Sequence, residues 1–104
     1  MFIDLQTTKE AVMNVTVKFF GPLGEQVGQE KVTISFNQGA TYSHLLDEIG
    51  KRFGHKFHQR IWDAGKKMFK AGILVVGEGR DFHRPETLLK DGEEIKILPL
   101  LGGG

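Results

Sequence analysis

The group best placed to do chemistry stands at the end of the chain, where Gly102-Gly103-Gly104 follows Pro99-Leu100-Leu101 and ends in an α-carboxylate. Such a carboxylate, with a reference pKa of about 3.3–3.7, is ionised near neutral pH and is a poor electrophile. It reacts only after activation. Three terminal glycines lose much entropy on ordering and add no packing, so a frayed end without a role is the alternative reading of these residues. What glycine offers is slimness: a backbone without Cβ atoms can enter a narrow channel and take dihedrals closed to other residues. Five residues beyond Pro99 span at most about 17 Å, enough to pass from a folded body into a cleft of another protein.

Other constellations are weaker. Of His44, His55, His58 and His83, only His55 and His58 are close in sequence, and no cysteine accompanies them, so they read as surface histidines and no metal is expected. Gly77-Glu78-Gly79-Arg80 lacks the remainder of a Walker or dinucleotide pattern and predicts a hairpin turn. Lys66-Lys67-Met68-Phe69-Lys70 interleaves basic and apolar residues as single-strand binders do, but one such patch in a chain of net charge +1 reads as a solvated face. Asp47 and Glu48 are adjacent on a helix and do not face each other, which makes a poor carboxylate dyad. With no cysteine there is no disulfide, thiolate metal site or thiol nucleophile, so any sulfur handled here is not held on a side chain.

The elements that must position the terminus are legible. A chain of 104 residues, 39% apolar and 26% charged, fits one folded domain. Its charge balance demands no nucleic acid, no run approaches the roughly 20 apolar residues of a membrane span, and Met1-Phe2-Ile3-Asp4-Leu5 is unlike a signal peptide, so a cytoplasmic protein without nucleic-acid or membrane partners is expected. Residues 1–12 lack periodicity and read as an extension; the domain is expected over 13–104, with 99–104 as a flexible tail. Val15, Val17 and Phe19 alternate with Thr16, Lys18 and Phe20, and Val32, Ile34 and Phe36 alternate with Thr33 and Ser35, which predicts a hairpin of 15–20 and 30–36 across a Gly24 to Gly28 turn. Thr41 is a candidate N-cap for a helix carrying Leu45, Leu46, Ile49 and Phe53 on one stripe, with Gly54 as its stop. Within 55–71, Phe57, Ile61, Trp62, Met68 and Phe69 suggest a short helix and loop on the core edge. Ile73–Val76 and Glu94–Leu98 predict two more strands, the second after the turn Lys90-Asp91-Gly92. The order β-β-α-insert-β-β implies an α+β fold with one main helix across a mixed sheet. If Val15, Val17 and Phe19 face the core, Phe20 points outward; if Ile95 and Ile97 face in, so does Leu98 point outward, and the two form an apolar patch beside the tail's origin.

This order, with its last strand, apolar pair and terminal glycines, resembles the β-grasp, ubiquitin-like sulfur carriers, above all the small subunit of molybdopterin synthase. Val15-Thr16-Val17-Lys18-Phe19-Phe20, Gly39-Ala40-Thr41 and Leu88-Leu89-Lys90-Asp91-Gly92-Glu93-Glu94-Ile95 carry the likeness, which spans most of 13–104. The segment 55–71 is longer than the usual family connection, and the family commonly ends in two glycines. The resemblance implies a carrier without catalysis of its own and without a bound cofactor. A ubiquitin-activating-type enzyme would use ATP to adenylate Gly104, and a persulfide-bearing protein would supply sulfur to leave a thiocarboxylate. A molybdopterin synthase large subunit, or another sulfur acceptor, would receive it. Gly103, Gly102, Leu101, Leu100, Pro99, Leu98 and Phe20 would meet these partners. Thiamin or other sulfur transfer, a modifier joined to lysines, and an interaction module with a chemically idle tail are the alternatives.

Overall fold

The computed structural model describes residues 12–100. Strand β1 (Val12–Phe19) leads through helix α1 (Pro22–Val27) to β2 (Lys31–Asn37); helix α2 (Tyr42–Phe53) follows, then a 3-10 turn (Gly54–Lys56), the two-residue strands β3 (Trp62–Asp63) and β4 (Met68–Phe69), β5 (Ile73–Gly77), β6 (Arg80–Asp81) and β7 (Glu94–Pro99). Five strands form one mixed sheet in the order β2-β1-β7-β5-β6, and β3 and β4 form a separate hairpin. The ends of the chain thus give the two central neighbours: β1 and β7 run parallel, with Val17 beside Ile95 and Phe19 beside Ile97. This is the mixed sheet with one main helix that the sequence pattern predicts, in the β-grasp arrangement that the family resemblance implies. No helix among the described residues is long and apolar enough to cross a membrane.

Period-two alternation places Met13, Val15, Val17 and Phe19 on one face of β1, all buried, with Ile34 of β2, Val75 of β5 and Ile95 and Ile97 of β7 beside them. Helix α2 covers that face with Leu45, Leu46, Ile49 and Phe53. Each such burial stabilises the fold by about 1.5–3 kcal/mol before the entropy of ordering is subtracted. Thr41 is the N-cap of α2, and its N–H donates to Nδ1 of His44 at 2.9 Å, so a histidine takes the reciprocal place of the usual Glu. The Tyr42 and Ser43 amides donate to the carbonyls of Thr87 and Pro85, at 2.8 and 2.9 Å, which fastens the long loop before β7 across the helix start. Burial pushes the Tyr42 hydroxyl pKa up to about 12.

Three features depart from the sequence reading. The hairpin joining β1 to β2 contains α1, with Pro22 in its first turn, where only a turn was expected. Strand β1 starts at Val12, one residue inside the expected extension. The segment 55–71 forms the β3–β4 hairpin, with no helix beyond the 3-10 turn; Phe57, Trp62 and Phe69 are buried there and Met68 is exposed. Trp62 also explains Gly54 better than a helix stop does. Gly54 keeps right-handed helical backbone as the C-cap, and a Cβ there would lie 3.2 Å from the Trp62 indole nitrogen, while one at Gly50 would lie 2.8 Å from its Cζ2. The glycines make room for the ring that ties the insert to the helix.

The turn into β7 holds a buried ion pair. Glu93 is fully buried, and Arg80 on β6 grips it with two donors, Nη2 to Oε1 at 2.6 Å and Nε to Oε2 at 3.0 Å; the Glu78 and Lys90 amides add further donors. Burial disfavours the charged form, but the Arg80 hydrogen bonds and the two amides outweigh it and hold the carboxyl below its ordinary 4.5. Gly77 is required beside it, since a Cβ there would overlap the Glu93 carboxylate. The Gly77–Arg80 stretch is the hairpin turn that its composition predicts.

Replacing Arg80 by Met leaves that carboxylate buried without its cation and is expected to destabilise the fold by about 3–5 kcal/mol near neutral pH. Because the folded-state pKa of Glu93 is depressed, its contribution is present above pH 4.5 and is lost as pH falls through the lowered value. Urea midpoints taken across that range should decline with acid in the wild type, and the Glu93 part of that decline should vanish in R80M. Trp62→Ala should lower unfolding free energy by about 3–5 kcal/mol in the same assay, with the insert losing its anchor.

Candidate functional site

The expected site surrounds the exit of the C-terminus, and the structure fixes where that exit lies. Strand β7 pairs with β5 through Leu98 beside Leu74 and Pro99 beside Ile73, and the Leu100 N–H then donates to the Gly72 carbonyl at 2.7 Å. The chain is therefore held through Leu100, one residue past the expected start of the tail at Pro99. Proline suits that place because its missing N–H forfeits no bond while its neighbour makes one. Leu101, Gly102, Gly103 and Gly104 lie outside the described residues. Four residues beyond Leu100 span at most about 13–14 Å, against the 17 Å expected from Pro99.

Phe20, the residue after β1, is 41% exposed, and its N–H donates to the Ile97 carbonyl at 3.0 Å. Parallel pairing of β1 with β7 thereby brings Phe20 to the level of Leu98, and a Cβ on Gly21 would touch Pro99 Cγ at 3.8 Å. The structure thus gathers Phe20, Leu98, Pro99 and Leu100 at one end of the sheet. Leu98 is half-buried and Leu100 is exposed. Phe20 and Gly21 also line an open groove between the end of β1, α1 and the start of β2, with Lys18, Glu25 and Lys31 on its walls.

Two residues that sequence reasoning did not single out extend this apolar surface. Leu74 and Val76 of β5 are half-buried and share with Leu98 and Lys96 the sheet face turned away from α2. The run Ile73-Leu74-Val75-Val76 carried the signal: four apolar residues in a row make both faces of a strand apolar, whereas one core needs only one. Apart from exposed Val12 at the other end of β1, the rest of that face is polar, with Lys18 on Glu94 at 2.7 Å. The Lys18 hydrogen bond holds the Glu94 carboxyl below its usual range. Exposed to solvent, this pair adds little stability.

Among the described residues no three His, Cys, Asp or Glu side chains gather as metal ligands. His44 caps α2, and the Nδ1 of His58 accepts from the Arg60 N–H at 3.1 Å, so both serve local backbone. What the arrangement can do is hold the chain as far as Leu100 beside a partly apolar platform of Phe20, Leu98 and Leu74.

The ThiS family profile matches residues 17–104 of this chain. No curated protein matches it. Among solved structures, small archaeal modifier protein 1 from Methanosarcina acetivorans is 26% identical with a TM-score of 0.68, over 89% of this chain and 98% of that one. The same protein from Haloferax volcanii is 21% identical with a TM-score of 0.72, over 88% and 99%. A complex of subunits 1 and 2 of the molybdopterin-converting factor from Helicobacter pylori contains a chain 24% identical, with a TM-score of 0.54, over 88% and 100%. With 88 of 104 positions inside the family match and the β-grasp sheet in place, the chain belongs to the ThiS family of ubiquitin-like sulfur carriers and modifiers.

Proposed function

We propose that this protein carries sulfur on its C-terminus for molybdopterin synthesis, as the small subunit or cosubstrate of a two-subunit synthase. The observation that carries the reading is the hold on Leu100, which sets Leu101-Gly102-Gly103-Gly104 directly after a platform bearing Phe20 and Leu98. A subunit with this fold is found with a second subunit in the molybdopterin-converting factor of Helicobacter pylori, which supports a partner of that kind.

The chemistry runs through partners. The Gly104 carboxylate oxygen attacks the α-phosphorus of ATP on an activating enzyme, expelling pyrophosphate and forming an acyl adenylate. The terminal sulfur of a donor persulfide then attacks the carbonyl carbon, and AMP leaves with the bonding pair. A second thiol on the donor attacks the donor's own sulfur in the resulting acyl disulfide, which becomes a protein disulfide and releases the thiocarboxylate. Gly104 is the carrier residue, and Gly103, Gly102 and Leu101 are the stretch that must fit the activating enzyme's channel. The chain itself supplies no acid, base or metal to these steps; it supplies the terminus and the surface that delivers it.

A modifier role shares the first step, after which a lysine amine of another protein displaces AMP to form an amide. The name of the archaeal relatives, small modifier protein, favours keeping this second reading. Intact-mass measurement of protein from its native host separates the two: replacement of one oxygen by sulfur supports the carrier, while a ladder of tail-dependent conjugates supports the modifier.

Deleting Gly103 and Gly104 should abolish ATP–pyrophosphate exchange by the activating enzyme, and unchanged exchange would sink both readings. Gly103→Val should lower that exchange by about 100-fold, since a side chain in a fitted channel displaces the reacting carboxylate. Phe20→Asp should weaken binding to the second subunit by tenfold or more, about 1.4 kcal/mol, while leaving unfolding free energy within about 0.5 kcal/mol. Calorimetric titration and urea denaturation check the two halves of that expectation.

A further inference from the structure

Charge is distributed unevenly along this nearly neutral chain. Residues 51–70 hold seven of its 14 Lys and Arg but only one, Asp63, of its 13 acidic residues, so the remainder carries seven basic against twelve acidic. The single acid is already engaged: Asp63 Oδ1 accepts from the Lys66 and Gly65 amides at 3.0 Å each, and these bonds, the Lys66 one foremost, hold its carboxyl below the usual range. Lys51, Lys56, Arg60, Lys66, Lys67 and Lys70 are all exposed.

Lys51 and Arg52 belong to the end of α2, where Arg52 is paired with Glu48 at 2.8 Å, and the lobe of residues 54–70 that carries the other five is firmly held. Trp62 and Phe69 pack edge to face with centroids 4.9 Å apart, and Phe57 lies 5.9 and 5.4 Å from them, all three rings buried. Met68 is left as the large apolar side chain exposed on the lobe. Its position relative to the tail follows from its contacts. The His58 N–H donates to the Gln26 side chain and Lys56 Nζ reaches the Val27 carbonyl, so the lobe rests on α1, which begins beside Gly21 and Pro99. Lys70 stands two residues before Gly72, whose carbonyl holds Leu100.

We propose that this basic lobe, with Met68 among its lysines, docks an acidic surface on the activating enzyme that receives the tail. The inference rests on the carrier reading above. A terminus reaching at most about 14 Å past Leu100 forces that enzyme against the body around the exit, where the lobe stands. Acidic groups at the mouth of the enzyme's cleft would be attracted to the lobe, which speeds encounter and sets the orientation in which the tail enters. A nucleic-acid strand fits less well, because stacking needs outward-facing rings and all three of the lobe's aromatic side chains point inward.

The test compares the full chain with R60E/K66E/K70E in ATP–pyrophosphate exchange by the activating enzyme of the same organism, at low and high salt. Arg84→Glu, far along the sequence and exposed, is the control for charge change as such. For the unaltered chain KM should rise with salt; the triple variant should raise KM about tenfold or more at low salt with kcat unchanged, and the control should not. Thermal melts confirm that each variant is folded. Equal KM for the variant and the full chain overturns the proposal, and equal KM together with loss of binding to bulk transfer RNA reassigns the lobe to nucleic acid. Absence of exchange by the unaltered chain instead fells the carrier reading, and the lobe's assignment with it.

Discussion

The structure depends on the placement of β7 between β1 and β5. A strand paired on both edges has its backbone groups satisfied within the sheet, and burial of Ile95 and Ile97 beneath α2 fixes which face it presents. A slip of one residue would send both isoleucines to solvent and bring Lys96 into the core. Register here also sets the length of the terminus, because each residue drawn into the ladder shortens what extends past Leu100. Fold stability and reach are therefore coupled through one strand.

That register is secured just before the strand begins. The Asp91 carboxylate accepts from the Asn14 N–H at 2.8 Å, and the Gly92 N–H donates to the Asn14 carbonyl at 2.7 Å, with Gly92 at φ +81°, where a side chain would be strained. Glu93 follows, clamped by Arg80. A buried ion pair is an expensive way to gain stability, and well-packed apolar residues often do as well. Its value lies in direction: bidentate geometry defines the placement of Glu93 relative to β6, and only one register of β7 satisfies it. Gly77 belongs to the same device, as the space into which the carboxylate fits.

Much of this was legible because periodicity in the sequence reports which face is buried. Val15-Val17-Phe19, Ile95-Ile97 and the stripe Leu45-Leu46-Ile49-Phe53 each follow the period of the element they form, and Thr41 marks the helix start. Helix α1 was not legible, since six residues carrying only two buried side chains, Leu23 and Val27, leave too short a pattern to separate from a turn. The insert failed for another reason. Phe57, Trp62 and Phe69 are fixed by one another and by the space over Gly50 and Gly54, contacts between distant positions that no local period encodes. Glu93 was hidden likewise, because a carboxylate beside another reads as surface until its arginine is located. At the site, the outward turn of Phe20 followed from strand alternation, whereas the hold on Leu100 needed Gly72, a residue without any signature.

Short reach turns a chemical question into a geometric one. On the carrier reading, Gly104 stands at most about 14 Å past Leu100, so the orientation of the body decides whether its carboxylate arrives. The apolar group of Phe20, Leu98 and Leu74 lies on the sheet side of the exit, while the lysines of the insert belong to the hairpin that rests on α1. Two contacts of different chemistry on either side of one exit define an approach more closely than either alone, since apolar burial tolerates sliding and charge pairs tolerate tilting. A carrier that serves successive partners, as proposed, would gain from this division. On that reading, a partner that matches the apolar group alone would be bound and released without the lobe, and one that matches both would be held in the single orientation that threads the tail.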